Sequence, residues 1–339
     1  MKNLVNVAVV GAGLIGQRRA EEVAQNPNSR CIAIADVDEG RAKIVAESVN
    51  AEFVTTDWRD VLSVKDLDVV IVSTPNGYLC EIARAALNHG YHVLVEKPMG
   101  RNVEEAIIMA KSAEWNNRIL KVGFNHRYHP AIFDAHYIVK DGRIGDILNM
   151  RCRYGHGGRA GYELEWRGDK NLAGGGELTD QGVHVIDLIY WFAGIPSSVF
   201  GYTQRAFWPL GELEDNGFGL FSFKSGAVAQ FHTSWTQWKN LFSFEVFGSE
   251  GAVIVDGLGR SYGTETLITH MRRPEGGVPI TNTTRYEGHD ISWKREWEDF
   301  LGAILYGTPM INTAEDGIGV MNILAALYKS SELNSAVSL

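Results

Sequence analysis

A carboxylate and an imidazole stand four residues apart in the segment GGGELTDQGVHVIDLIYW, residues 174–191, at Asp180 and His184. Apolar residues recur around them at helical spacings of three and four, namely Val183, Ile186, Ile189 and Tyr190. Residues four apart share one face of a helix, so the two side chains would be neighbours. Histidine titrates near neutral pH and can both accept and return a proton. The pair is therefore either a local structural contact or half of a proton-transfer site.

A lysine in a constrained position is the second candidate for chemistry. Lys97 lies in Glu96-Lys97-Pro98, directly after the apolar run 92–95. Pro98 lacks a backbone donor and disfavours helical geometry at Lys97, so the strand must end there in an extended turn. A partly desolvated ammonium held in this way would lower the pKa of a nearby hydroxyl and stabilise the oxyanion. The alternative is a surface lysine paired with Glu96.

A glycine-rich turn after the first apolar run fits the G-x-G-x-x-G pattern, as Gly11-Ala12-Gly13-Leu14-Ile15-Gly16. Gly11 allows the tight turn, Gly13 lets the backbone approach a pyrophosphate, and Gly16 lets helix and strand pack closely. The helix that begins at Leu14 and Ile15 offers free N–H groups and a partial positive charge to phosphates. This pattern predicts a dinucleotide site, and the alternative is a glycine turn without a ligand.

An acidic residue, Asp36, ends the second apolar run twenty positions after Gly16 and strengthens the dinucleotide interpretation. Its carboxylate would accept hydrogen bonds from both ribose hydroxyls of NAD and repel the 2′-phosphate of NADP. Arg41 lies nearby and would either offset that repulsion or cover the adenine. We therefore expect NAD rather than NADP. Further cofactor contacts are expected where the fourth strand ends, at Ser73-Thr74-Pro75-Asn76, although a turn without ligand contacts is the alternative.

The first part of the chain alternates short apolar strands with helical patterns. The predicted strands are Val5–Val10, Cys31–Ala35, Asp68–Ser73, His92–Glu96 and Ile119–Gly123. The predicted helices are Leu14–Ala24, Arg41–Val49, Glu81–His89 and Val103–Trp115. Unbroken Val/Ile strands followed by helices indicate a doubly wound parallel sheet, the Rossmann arrangement. We assign residues 1–123 to this dinucleotide-binding domain.

The pattern changes after residue 123, because strands now follow one another without intervening helices. These strands are Ile147–Tyr154, Gly217–Phe223, Ala227–Ser234, Phe242–Phe247 and Ala252–Val255. Hairpin turns join several of them, which predicts an open, largely antiparallel sheet with helices on one face. Two helices, near Ser292–Tyr306 and Ala314–Ser331, end the chain. Residues 124–339 are therefore expected to form a substrate-binding and oligomerisation domain.

Bulk properties exclude several classes of partner. The net charge of −9 argues against binding nucleic acid or an anionic membrane. No apolar run reaches the length of a membrane span. The chain has three widely spaced cysteines, Cys31, Cys80 and Cys152, which suits reduced thiols. With no secretory signal pattern at the N-terminus, we expect a cytoplasmic protein.

Taken together, these motifs resemble the glucose–fructose oxidoreductase / inositol dehydrogenase (Gfo/Idh/MocA) family over essentially the whole chain. The motifs that carry the resemblance are the glycine fingerprint, 73–76, Glu96-Lys97-Pro98, Gly123-Phe124-Asn125, Trp166-Arg167, 174–176 and Asp180-x-x-x-His184. The resemblance implies a Rossmann domain, an open-sheet domain, and hydride transfer between NAD(P) and a hydroxyl of a sugar, sugar derivative (nucleotide-linked ones included) or cyclitol. Leu79 replaces a histidine that many relatives carry, which affects details of the nicotinamide pocket.

The resemblance also implies roles for individual residues. Lys97, His184 and Asp180 would be catalytic, with His184 the acid/base and Asp180 its partner. The expected cofactor contacts are Gly11, Gly13, Leu14, Ile15, Gly16, Asp36, Arg41, Ser73, Thr74, Pro75, Asn76, Glu96, Lys97 and Asn125. The expected substrate contacts are Lys97, Asn125, Trp166, Arg167, Asp180 and His184. Arg159 and Tyr162 are added to them because of their position in the glycine-rich segment 156–163, from which they would reach hydroxyl or phosphate groups. Subunits would associate as a homodimer or homotetramer through the second sheet.

Other interpretations stay open. The glycine-rich segment 156–163 is either a loop over the substrate or a solvated connection. Trp235 and Trp238 either stack on a sugar or belong to the core. A metal site at Asp180, His184 and Asp187 lacks a further ligand at suitable spacing, so no metal is expected. The alternatives to a dehydrogenase are a glycosidase-like enzyme that uses trapped NAD and a non-catalytic NAD-binding sensor.

Overall fold

The computed structural model describes residues 4–339. The chain divides into two compact units. Unit 1 contains Met1–Phe124 and Trp293–Ile318, and unit 2 contains Asn125–Ser292 and Gly319–Leu339. Unit 1 therefore includes a segment from the C-terminal part of the chain, which local sequence patterns place in the second domain.

Unit 1 is built on a six-stranded parallel sheet. Its strands are β1 (Val5–Val10), β2 (Ser29–Ala35), β3 (Phe53–Thr55), β4 (Val69–Val72), β5 (His92–Val95) and β6 (Leu120–Val122). Their order across the sheet is β3-β2-β1-β4-β5-β6, that of a doubly wound dinucleotide-binding fold. Every residue of β1 and β4 is buried, because helices cover both faces of such a sheet.

Five helices connect these strands, and side-chain caps start two of the longer ones. The helices are α1 (Leu14–Gln25), α2 (Glu39–Val49), α3 (Trp58–Val61), α4 (Asn76–Asn88) and α5 (Val103–Trp115). Asp38 caps α2 by accepting a hydrogen bond from the backbone N–H of Arg41, and Asn102 caps α5 in the same way.

Unit 2 is built on a nine-stranded sheet. Helix α6 (Pro130–Lys140) precedes the first strand of this sheet. Helices α7 (Lys170–Ala173) and α8 (Val183–Ala193) follow that strand in the chain. The strands are β7 (Ile147–Gly155), β8 (Ser198–Gln204), β9 (Asn216–Ser222), β10 (Val228–Ser234), β11 (Leu241–Gly248), β12 (Gly251–Asp256), β13 (Glu265–Met271), β14 (Ile280–Tyr286) and β15 (Val337–Ser338). Their order is β14-β13-β12-β11-β7-β10-β9-β8-β15, and among the described residues of this second sheet β7–β10 is the one parallel pair.

Helices cover one face of this second sheet. Helix α6 packs on β12 and β13, and α8 packs on β7. The ring of Phe192 on α8 lies 5.0 Å from that of Phe244 on β11. Along β7, β9 and β10 buried and more exposed residues alternate, so the opposite face is open.

The last two long helices are α9 (Ser292–Tyr306) and α10 (Ala314–Leu333). Three apolar side chains of α9, Trp297, Phe300 and Leu301, belong to the core of unit 1 together with residues of β1, β2 and β4. The indole N–H of Trp297 donates to Ser29 Oγ at 3.0 Å. Helix α9 is therefore part of the layer that covers the parallel sheet.

These features confirm the predicted fold class, a Rossmann sheet followed by an open, largely antiparallel sheet with helices on one face. Within residues 4–339, no helix is both long enough and apolar enough to cross a membrane.

Candidate functional site

The glycine-rich turn of unit 1 has the shape that a dinucleotide requires. Gly11 has φ +94°, and a Cβ there would lie 2.5 Å from the carbonyl oxygen of Ser73. A Cβ on Gly16 would lie 1.7 Å from the carbonyl oxygen of Gly11. Only glycine fits at these two positions, so β1 and the start of α1 approach each other as closely as the sequence predicts.

The space in front of this turn is open and lined by polar groups. A Cβ on Gly13 would meet nothing within 4 Å. At the end of neighbouring β4, the buried hydroxyls Ser73 Oγ and Thr74 Oγ1 have no partner in the described part of the chain. Pro75 precedes α4, and Asn76 is its buried first residue. Free hydroxyls and free N–H groups at the start of α1 suit phosphate and ribose oxygens, so these residues fit a dinucleotide.

Asp36 lies at the same edge of the sheet and is tied to the glycine turn. Its Oδ2 accepts a hydrogen bond from the N–H of Ala12 at 2.7 Å, and its Oδ1 accepts one from Asp38 at 2.9 Å. Arg41 lies 3.8 Å from Asp36 Oδ2 and bonds Asp38 at 3.2 Å. The predicted ribose ligand thus also orders the loop that would hold the pyrophosphate.

Lys97 follows β5, at the edge where all the predicted unit 1 cofactor residues lie. The Lys97–Pro98 peptide bond is cis. Glu96, which precedes Lys97, forms an ion pair with Arg19 of α1 at 2.7 Å. Arg19 also forms an ion pair with Glu296 of α9 at 2.5 Å. All three charged side chains are buried. Arg19 therefore fixes the side chain of the residue that directly precedes Lys97.

In unit 2, a buried carboxylate organises the glycines before the Asp180/His184 segment. Glu214 accepts hydrogen bonds from the N–H groups of Gly176 at 3.0 Å and Leu178 at 3.1 Å, and from the Tyr328 hydroxyl at 2.7 Å. Burial raises the pKa of Glu214, and these donors oppose that rise. A Cβ on Gly176 would lie 2.1 Å from the Glu214 carbonyl oxygen, so glycine is needed here.

Asp180 lies in a π-helical turn, Leu178–Gly182, directly before α8. The sequence predicts one continuous helix, whereas the structure has a widened turn of the kind often found at functional sites. Arg167 Nε donates to Asp180 Oδ2 at 3.0 Å, and its guanidinium lies over the ring of Trp166 at 4.5 Å. The nearby Asp180 raises the pKa of Arg167. Two predicted substrate contacts, Trp166 and Arg167, are thus brought to the predicted catalytic carboxylate.

His184 is buried in α8 and its imidazole stacks on that of His126, with ring centroids 3.8 Å apart and planes 17° apart. Asp187, one turn further, forms a buried ion pair with Arg127 at 2.6 Å. Asp187 is therefore engaged with an arginine rather than arranged as a metal ligand. Asn125, the predicted cofactor contact of unit 2, donates from Nδ2 to Ser292 Oγ at 3.1 Å.

Two tyrosines and a glutamine extend this polar cluster, and none of them is marked by the sequence motifs. The hydroxyls of Tyr154 and Tyr262 are hydrogen-bonded, and Gln181 Nε2 donates to Tyr262 Oη at 3.0 Å. Burial raises the pKa of Tyr154 well above its ordinary value and that of Tyr262 to about 12, and Asp180 adds to both shifts. Both phenols are therefore neutral hydrogen-bonding groups. Buried Gln181 Oε1 has no partner within the described residues.

The glycine-rich segment 156–163 lies before the π-helical turn and leads into a short 3-10 turn, Tyr162–Leu164. Tyr162 is buried in a hydrophobic cluster with Leu210, Leu213 and Trp235. Arg159 is exposed and bonds Glu165 at 2.7 Å. Their contact with substrate stays a prediction. Trp238 is 66% exposed, outside any core.

Local signals for the residues that the sequence analysis missed are weak. His126 directly follows the Gly123-Phe124-Asn125 motif, so its position in the sequence is the one signal that marks it. Tyr262 and Glu214 lie in turn-rich segments more than 30 residues from their partners Gln181 and Gly176. Only the tertiary structure shows these contacts.

Comparison with known proteins places the chain in a family. Residues 5–124 match the family model described as "Oxidoreductase family, NAD-binding Rossmann fold". Residues 134–254 match the "GFO/IDH/MocA C-terminal domain". The two matches cover both units of the fold.

Named relatives and a solved structure agree with this. Levoglucosan dehydrogenase of Pseudarthrobacter phenanthrenivorans is 28% identical, covering 99% of this chain and 98% of the relative. D-glucoside 3-dehydrogenase of Escherichia coli is 27% identical, with 99% and 97% covered. D-xylose 1-dehydrogenase (NADP(+)) 2 of Haloferax volcanii is 26% identical, with 98% of each covered. A solved structure of levoglucosan dehydrogenase in complex with NADH superposes with a TM-score of 0.90 at 26% identity, covering 99% of both chains.

The fold and the glycine turn of the Rossmann domain agree with these matches. The chain therefore belongs to the GFO/IDH/MocA oxidoreductase family, and it is an NAD(P)-dependent dehydrogenase that acts on CH–OH groups.

Proposed function

We propose that this protein is an NAD(H)-dependent dehydrogenase that interconverts a secondary hydroxyl and a ketone on an uncharged sugar, sugar derivative or cyclitol. The observation that carries the proposal is the polar cluster of unit 2. The buried imidazole of His184 stacks on His126, which contacts the ring of Tyr154. The Tyr154 hydroxyl is in turn hydrogen-bonded to Tyr262, which receives a hydrogen bond from Gln181, the neighbour of Asp180. Such a set of hydrogen-bond donors and acceptors suits a molecule with several hydroxyl groups.

His184 is the acid/base in this proposal. A secondary alcohol is too weak an acid to ionise at neutral pH, so oxidation needs a base on its oxygen. His184 accepts that proton and returns it in the reverse direction. The bound dinucleotide supplies the hydride acceptor or donor. The ammonium group of Lys97 has the chemistry to stabilise the negative charge that develops on a reacting oxygen.

Asp180 and Gln181 bind hydroxyl groups of the sugar. Asp180 Oδ2 is held by Arg167, which fixes the carboxylate in one orientation. The amide nitrogen of Gln181 donates to Tyr262, whereas its buried Oε1 is available to accept a hydrogen bond from a sugar hydroxyl. Trp166 lies beneath Arg167 and offers an apolar ring face.

The charges of unit 2 favour an uncharged substrate. A phosphate group needs a cation that is not already neutralised, and Arg167 and Arg159 each contact a carboxylate, Asp180 and Glu165. The names of two relatives, levoglucosan dehydrogenase and D-glucoside 3-dehydrogenase, refer to substrates without a phosphate group. We expect a free sugar to be preferred over its phosphate by at least about tenfold in kcat/KM.

NAD is the proposed cofactor, because the buried carboxylate of Asp36 would repel a 2′-phosphate. Arg41 supports this assignment, since it already contacts Asp36 and Asp38. The positive charge of the Arg41 guanidinium is therefore already balanced by two carboxylates and is not available to a 2′-phosphate.

The experiment that tests the function follows nicotinamide absorbance with NAD and NADP across uncharged sugars, anhydrosugars, glycosides, cyclitols and matching sugar phosphates. Net NAD reduction with an uncharged sugar is expected. Glycoside release without net change of bound NAD would instead support the glycosidase-like alternative. Cofactor and sugar binding without either reaction would support a sensor.

We also propose that two or four copies associate through the open face of the nine-stranded sheet. That face exposes apolar side chains around a groove of about 700 Å³, namely Phe200, Tyr202, Leu220 and, further along β10, Val228. An apolar face of this kind is usually covered by another protein surface. Sedimentation should show a dimer or tetramer that Leu220→Glu dissociates, whereas Trp115→Glu, at a 91% exposed position of unit 1, leaves it intact.

A further inference from the structure

The imidazoles of His126 and His184 form a close, nearly parallel stack, with centroids 3.8 Å apart. Both side chains are buried, each about 5% exposed. His126 belongs to a short 3-10 helix, Asn125–Tyr128, and is not part of α8. One face of the His184 ring is therefore covered by a ring from another element.

His126 is itself held on several sides. Its Nδ1 lies 3.2 Å from Asn125 Oδ1, and Asn125 is anchored by its bond to Ser292. The rings of Tyr154 and His129 approach it edge-on at 5.4 and 5.6 Å. A ring constrained in this way is a rigid surface for its neighbour.

The backbone on both sides of the stack is also locked. Arg127, next to His126, donates to both carboxylate oxygens of Asp187, from Nε to Oδ2 at 3.0 Å and from the guanidinium to Oδ1 at 2.6 Å. Asp187 lies one turn after His184 on α8. This buried bidentate ion pair joins the 3-10 helix to α8, so the two backbone segments that carry the imidazoles are held at a fixed distance.

We propose that His126 is a positioning residue for the reaction, which fixes the plane of the His184 imidazole by stacking on it. The inference rests on the proposed role of His184 as acid/base. Proton transfer requires the ring nitrogen to point at the substrate oxygen, and errors of about 1 Å in such geometry cost up to about a hundredfold in rate. Without the stack, His184 rotates about its χ2 bond and spends less time in the productive orientation.

The test compares His126→Ala, which removes the ring, with His126→Phe, which keeps a flat ring of similar size. His126→Ala should lower kcat by at least about tenfold and change the sugar KM by less than about threefold, and His126→Phe should restore most of kcat. A purely structural role would lower both variants' active fraction and would not give this split. Equal loss in both variants, or wild-type kcat in His126→Ala, would overturn the inference.

A second readout does not depend on turnover. In protein with labelled histidine rings, the His184 ring protons, assigned by their loss in His184→Ala, should resonate upfield because of the ring current of His126. They should move downfield in His126→Ala and stay near the wild-type position in His126→Phe; unmoved resonances in His126→Ala would contradict the stack. Normal turnover in His184→Ala would overturn the proposed function together with this inference, whereas normal turnover confined to His126→Ala would overturn the inference alone.

Discussion

Arg167 donates from Nε to Asp180 Oδ2 across 3.0 Å, and this bond joins the 3-10 turn Trp166–Gly168 to the π-helical turn Leu178–Gly182 that precedes α8. The pair is largely buried, with side-chain exposures of 28% and 17%. One arginine thus orients the carboxylate proposed to bind the sugar, and a ring beneath it, Trp166, supports the arginine.

Arg167→Ala should therefore lower kcat/KM for the sugar by about ten- to a hundredfold, because Asp180 loses its charged partner and its fixed orientation. The control is Lys170→Ala, which breaks an exposed ion pair with Glu212 at 2.8 Å in the adjacent segment. Steady-state kinetics at varied sugar concentration measure both. Equal effects of the two substitutions would argue against a specific role for Arg167.

Asp36→Ala should shift the ratio of kcat/KM for NAD over NADP toward NADP by at least about tenfold, because the charge that repels the 2′-phosphate is removed. The hydrogen bond to Ala12 is lost as well, so affinity for NAD should fall. Asp38→Ala, which removes an exposed carboxylate beside Arg41, is the matched control. An unchanged cofactor ratio in Asp36→Ala would show that another residue reads the ribose.

Glu214→Ala should destabilise the protein by about 2–3 kcal/mol, because buried N–H groups of Gly176 and Leu178 and the Tyr328 hydroxyl lose their acceptor. Glu212→Ala, at an exposed position two residues away, should leave the urea midpoint nearly unchanged, because its ion pair with Lys170 is exposed to solvent. Urea unfolding measures both variants. Similar midpoints for the two would mean that the glycine turn does not need this carboxylate.

His136 gives a prediction about pH. It stacks on Trp191 of α8 with centroids 3.6 Å apart, and burial lowers its pKa to about 4. In the unfolded chain His136 is protonated at a higher pH than in the folded protein. The stabilising contribution of neutral, buried His136 to the free energy of unfolding is therefore fully present above about pH 6.5 and is lost as pH falls toward 4.

His136→Phe keeps a ring on Trp191 and removes the titration. Between pH 6.5 and 4, its unfolding free energy should fall less steeply with decreasing pH than that of the wild type, by up to about 1.4 kcal/mol per pH unit. Urea unfolding at several pH values measures the slope. Parallel slopes for the two proteins would contradict the assignment.

Local sequence patterns were sufficient where structure depends on neighbours in the chain. Continuous Val/Ile runs predicted β1, β4 and β5, and helical spacing predicted α5 and α9 with their observed ends. Strand β14 was missed because its residues, ITNTTRY, are nearly all exposed and carry no apolar periodicity. Its position depends on pairing with β13, which no local pattern encodes.

The same division holds for the candidate site. The glycine turn, Lys97 and His184 carry their own motifs. The π-helical turn at Asp180 does not, and the backbone N–H of its first residue, Leu178, is bonded to Glu214, 36 residues away in the chain. Tyr262 reaches Gln181 from a loop 81 residues away. Residues that act through tertiary contacts have no signature in one sequence.

The most direct test of the central claim is the rate of NAD reduction with the best sugar of the panel in the wild type, His184→Ala and Lys97→Ala. Each variant should be at least about a hundredfold slower, the usual scale for loss of a proton-transfer or charge-stabilising group. Binding of NADH, followed by its fluorescence, should change by less than about threefold in His184→Ala. Wild-type turnover in either variant would contradict the roles assigned to these two residues.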